Sequence, residues 1–64
     1  MNEEMLLLEV KKLISILNTF GNVLVPNIDD KETSAQERLQ YIVNKLKEEY
    51  NLNIVEIESK ISKL

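Results

Sequence analysis

A chain of 64 residues forms one domain near the lower limit for a lone hydrophobic core, because a chain of that size buries only about 60% of its unfolded surface. Cysteine and histidine are both absent, which excludes disulfides, thiolate nucleophiles, zinc and iron–sulfur ligation and the commonest general base. The net charge of −3 counts against a phosphate-backbone binder, which needs clustered Lys and Arg.

With 44% hydrophobic and 30% charged residues the chain has the balance of a folding globular domain. Self-association is then the support left to a domain this small. Asn, Lys and Ile each occur seven times and Ala once, a bias toward AT-rich codons that points to a low-GC Gram-positive bacterium or its phage. The chain begins with Met and carries no visible tag, so it is expected to be a complete small reading frame. Asn2, Glu3 and Glu4 stand where a signal peptide carries positive charge. Glu9, Lys11 and Lys12 break the leading apolar run short of the roughly 18 residues that span a membrane. The expected location is the cytoplasm.

The first helix is predicted over residues 3 to 20, with Asn2 as its cap, Glu3 and Glu4 against the positive end of its dipole, and Gly21 as a left-handed terminator. At about 100° per residue, Met5, Leu6, Leu7, Val10, Leu13, Ile14, Ile16, Leu17 and Phe20 cover an arc of roughly 200°, about twice the stripe of a surface helix. Leu8 is the one apolar residue in the polar sector. One neighbouring helix cannot cover such an arc, so a second copy of the chain is expected to supply part of the lid. The residues assigned to that oligomer interface are Leu6, Glu9, Val10, Leu13, Ile16, Leu17 and Phe20. Five of them, Leu6, Val10, Leu13, Leu17 and Phe20, also follow the 4-3-4-3 spacing of left-handed helix packing.

Glu9 falls inside the apolar arc, where an ionised carboxylate is costly unless paired. Two readings follow. Either it sits at the end of the interface with its charge in water, the favoured one, or it forms a buried ion pair with Arg38 or with a lysine of the partner subunit.

Residues 22 to 31 form a connection of about ten residues, long for a compact domain. Pro26 pushes Val25 toward extended backbone. The segment is expected to be a loop strapped across the helix ends, with a short Val-Leu-Val strand pairing with its equivalent in a second subunit as the sharper alternative. Asp29, Asp30 and Glu32 could offer oxygen ligands to a divalent cation, but no calcium-loop pattern surrounds them, and acidic residues suit a helix start in any case.

Ser34-Ala35-Gln36-Glu37 has the pattern of a capping box and opens the second helix. Ala35, Leu39, Ile42, Val43, Leu46 and Tyr50 give it an apolar arc of about 100°, and Asn51 is its expected left-handed terminator. A third helix follows after Asn53-x-x-Glu56, with Ile54, Ile57, Ile61 and Leu64 at helical spacing and Glu56–Lys60 as an i,i+4 pair. The β-branched cluster Ile54, Val55, Ile57 makes a strand over residues 52 to 57 the competing assignment.

Tyr41 falls on the polar side of the second helix, and an outward aromatic there is a contact point or an amphipathic chain lying over its neighbours. With Arg38 and Lys45 it makes the partner-binding strip. A helix-turn-helix reading of the second and third helices meets Glu56 and Glu58 where amide or basic side chains should face DNA.

The sequence therefore describes a single domain over residues 1 to 64. It is an all-α, three-helix protomer, a helical hairpin plus a short C-terminal helix, assembling as a homodimeric helical bundle. No catalytic residue, metal ligand or cofactor site is assigned. The expected function is that of a non-catalytic regulator or inhibitor acting by binding a protein. The alternatives are an oligomer that sequesters a small molecule or nucleotide, using backbone N–H groups at the second helix's start for an anion, and a DNA-binding protein.

Overall fold

The computed structural model describes residues 2–26 and 31–64. Among these residues it contains helices α1 (Glu3–Phe20), α2 (Ala35–Tyr50) and α3 (Ile54–Ser62), with strands β1 (Leu24–Pro26) and β2 (Glu32–Ser34) between the first two helices. The fold is thus mostly helical with a small sheet, a correction to the all-α expectation. The strands pair antiparallel within one chain, Leu24 opposite Ser34, Val25 opposite Thr33 and Pro26 opposite Glu32. Pro26, which has no N–H to give to a ladder, stands at the end of its strand. Ile28, Asp29 and Asp30, including two of the three candidate cation ligands, lie outside the described residues. Among the described ones no cluster of acidic groups could hold a metal.

Helix boundaries follow local chemistry. The Asn2 side chain accepts from the Met5 amide at 2.8 Å and opens α1. Gly21 closes it, but with φ 84° and ψ −163° it lies in a glycine-only region rather than the left-handed helical one expected. That extended ψ turns the chain directly into the hairpin. At the other end of α2, Asn51 does adopt the left-handed conformation, φ 56° and ψ 32°. Asn53 and Glu56 form a reciprocal capping box, Glu56 N–H to Asn53 Oδ1 at 2.8 Å and Asn53 N–H to Glu56 Oε1 at 3.1 Å. This fixes residues 54 onward as helix rather than strand. Glu56 is thereby used at the cap, and Lys60 pairs with Glu3 of α1 at 3.4 Å instead of with Glu56.

The start of α2 is capped by the hairpin as well as by Ser34. The amides of Ala35, Gln36 and Glu37 donate to the Val23 carbonyl at 2.8 Å, the Asn22 side-chain oxygen at 2.9 Å and the Ser34 hydroxyl at 3.2 Å. These are three of the four orphan donors of a helix start. Only half of the expected capping box forms, because the Glu37 carboxylate accepts from the Thr33 hydroxyl at 3.0 Å.

The core sits where α1 packs on α2 and α3. Leu6, Leu7, Val10 and Leu13 of α1 meet Ala35, Ile42 and Leu46 of α2 and Ile57 of α3. Val25 of the hairpin, Leu39, Val43, Tyr50, Leu52 and Ile61 pack around this centre. The Lys11 ammonium group donates to the Leu64 carbonyl, tying the C-terminal end of the chain back to α1. No helix among the described residues is long and apolar enough to cross a membrane.

Candidate functional site

The seven residues assigned to the oligomer interface divide into four groups. Leu6, Val10 and Leu13 are buried inside the protomer's own core, where α2 and α3 already cover them and no second copy can reach, a correction to their assignment. Ile16 and Leu17 pack partly against the core edge. Phe20, 70% exposed, projects from the C-terminal end of α1. The remaining one, Glu9, takes the buried-pair reading rather than the solvated one, and its partner is Arg38 of the same chain.

That pair is bidentate. Arg38 Nε donates to Glu9 Oε2 at 2.6 Å and Arg38 Nη2 to Glu9 Oε1 at 3.2 Å. Arg38 is 6% exposed overall, so it is not an open contact residue of the α2 surface, again a correction. Its stem is buried because it stands three residues after Ala35 and four before Ile42, on the same stripe that faces α1. That spacing was the signal for its burial, and its charge concealed it. A fork-to-carboxylate geometry satisfies two guanidinium donors at once, and no buried side-chain polar atom among the described residues lacks a partner.

The three residues of the partner-binding strip are brought together. Tyr41 is half exposed, with the Arg38 guanidinium carbon 5.5 Å and the Lys45 ammonium 5.8 Å from its ring centroid. Both distances are within cation–π range. Lys45 in turn pairs with Glu49 at 3.4 Å. The Glu49 carboxylate beside it, with a smaller contribution from Tyr41, holds the Lys45 ammonium above its ordinary pKa of 10.5. A continuous chain of ionic and cation–π contacts therefore runs from Glu9 on α1 through Arg38, Tyr41 and Lys45 to Glu49, with the exposed Tyr41 ring at its middle.

A second feature escaped the sequence reading. Met5, Leu8, Lys12 and Ile16 of α1, with Val25 and Pro26 of β1, line an open groove of about 480 Å³ whose floor carries Glu9 and Arg38. Met5 and Leu8 are 53% and 47% exposed. Leu8, the apolar residue out of place in the polar sector, was the signal for this second apolar face.

The anion site expected at the start of α2 is not available, because its first three amides are already bonded to Val23, Asn22 and Ser34. Comparison of the chain with protein-family models, with known proteins and with solved structures finds no match.

Proposed function

We propose that the chain is a small non-catalytic regulator or inhibitor, of low-GC bacterial or phage origin and acting in the cytoplasm, that self-associates as a helical homodimer and works by binding a protein partner. One observation carries the binding reading: Tyr41 is half exposed yet gripped between Arg38 and Lys45. Tyrosine and arginine dominate the energetics of protein interfaces. A ring already held by its neighbours loses little freedom when a partner covers it, so more of its contact area converts to affinity. Anchoring Arg38 to Glu9 extends that rigidity into the core.

The test is capture from host lysate with the immobilised chain. Wild type retains a partner, Tyr41→Ala loses it, and circular dichroism of the two is the same. Retention by Tyr41→Ala at wild-type level excludes the reading.

A second reading, small-molecule sequestration, is supported by the α1 groove, whose volume of about 480 Å³ lies within the 300–1,000 Å³ range of ligand pockets. A thermal shift with nucleotides and metabolites that is lost on Leu8→Asp favours it over the first.

A further inference from the structure

We infer that the second copy docks on the outer ridge of α1, antiparallel about a two-fold axis at Leu8, with Glu4 of each protomer against Lys12 of the other. The inference rests on the self-association named above and specifies its face and register. Leu6, Val10 and Leu13 point into the protomer core, and Leu8 projects from the far side of the helix, about 140–160° around the axis from them. It is 47% exposed, and Met5 beside it is 53% exposed. They are the large apolar side chains that the protomer leaves open in the N-terminal half of α1, with Ile14 and Phe20 open further along it, and α1 is the longest helix described.

Charge chooses the occupant and the register. Glu4, Leu8 and Lys12 stand four residues apart, so they form one ridge with an acid at one end, a base at the other and a leucine midway. Glu4 and Lys12 are both exposed. Such a ridge complements itself when reversed. An antiparallel pair centred on Leu8 sets Leu8 against Leu8 and matches Glu4 to Lys12 twice, one match for each half of an isologous interface.

The competing registers fail on the same charges. Centring on Lys12 would place two ammonium groups face to face. A parallel pair would oppose Glu4 to Glu4 and Lys12 to Lys12. Like charges directly opposed are destabilising. Within α1 the Leu8-centred overlap is about 16 Å of helix at 1.5 Å per residue. That is small beside a standard interface, so the dimer is a reversible one, with a dissociation constant of roughly 100 µM.

Sedimentation equilibrium of the full chain from 10 µM to 1 mM tests this. The wild type is expected to pass from monomer to dimer across the range. Leu8→Asp abolishes the dimer, Glu4→Lys and Lys12→Glu each weaken it about tenfold, and the double exchange E4K/K12E returns it to within about threefold of wild type. All three substituted positions are exposed, and unchanged helicity by circular dichroism accompanies each result. A chain that stays monomeric at 1 mM overturns the inference, as does a dimer indifferent to Leu8→Asp or one that the double exchange fails to restore. A monomeric chain that still captures a partner through Tyr41 separates failure here from failure of the partner-binding reading.

Discussion

Glu9 and Arg38 close a fork between α1 and α2, with Nε–Oε2 at 2.6 Å and Nη2–Oε1 at 3.2 Å, and with 25% and 7% of their side-chain surfaces exposed. Removing one member of a buried pair leaves the other charge desolvated and alone, which costs about 3–5 kcal/mol at full burial. Because Glu9 keeps partial access to water, Glu9→Ala is expected to cost about 2–3 kcal/mol, read from the urea midpoint at constant m value. Replacing both residues by Met removes the unpaired charge and is expected to recover stability to within about 1 kcal/mol of wild type. Equal loss in the single and double variants would show that the charges and hydrogen bonds of the fork stabilise the interface beyond what aliphatic packing can replace.

The contrast between what periodicity revealed and what it concealed is clearest at these two residues. The apolar spacing of α1 and α2, the caps Asn2 and Asn53 and the turn residue Asn51 are local signals, and the elements they mark fall where expected. The hairpin is different. Its strands are three residues long, too short for a period-two pattern, and β2 consists of Glu-Thr-Ser. Its pairing depends on α1 and α2 being in place. Apolar residues alone also misplace the buried stripe of α2, which turns toward Arg38 because Glu9 waits across the interface to neutralise it. Likewise, the wide arc of α1 is shared among α2, α3 and the hairpin rather than left whole for a second copy. What stays exposed of the large apolar side chains of α1 is Met5 and Leu8 in the first half of the helix and Ile14 and Phe20 in the second.

Because the hairpin supplies acceptors for the first turn of α2, its effect on stability should be separable from its own packing. Asn22→Ala removes the acceptor for the Gln36 amide and Ser34→Ala that for the Glu37 amide. Each substitution is expected to cost about 1 kcal/mol, the usual loss of a cap. Asn22→Asp should retain the bond and gain from the helix dipole. Thermal unfolding of the three variants checks the order, with Asn22→Asp at or above wild type and the two alanines below it.

Gly21 and Asn51 both have positive φ but ask for different residues. Gly21 combines φ 84° with ψ −163°, a region open essentially to glycine alone, and a Cβ added there would meet no atom within 4 Å. The cost of Gly21→Ala is therefore conformational, about 1–3 kcal/mol, and Gly21→Asn should be no better. Asn51 lies in the left-handed helical region, so Asn51→Gly is expected to be neutral within about 0.5 kcal/mol, whereas Asn51→Ala loses about 1 kcal/mol. Equilibrium denaturation that found Asn rescuing position 21 would contradict this assignment of the turn.

Lys45 links the Tyr41 ring to Glu49, and its pKa is raised above 10.5 chiefly by the Glu49 carboxylate. A raised folded-state value means that the charged ammonium is favoured by folding. Its contribution is thus fully present below pH 10.5 and is lost as pH climbs through the raised value. At the protein surface the effect is small and screened by salt. Lys45→Met should therefore melt slightly below wild type at pH 7 in low salt, with the gap shrinking at high salt and closing as the pH is taken through the raised value. Paired thermal scans of the two proteins measure it. A gap that persists at high pH and high salt would assign the role of Lys45 to its aliphatic stem against Tyr41 rather than to its charge.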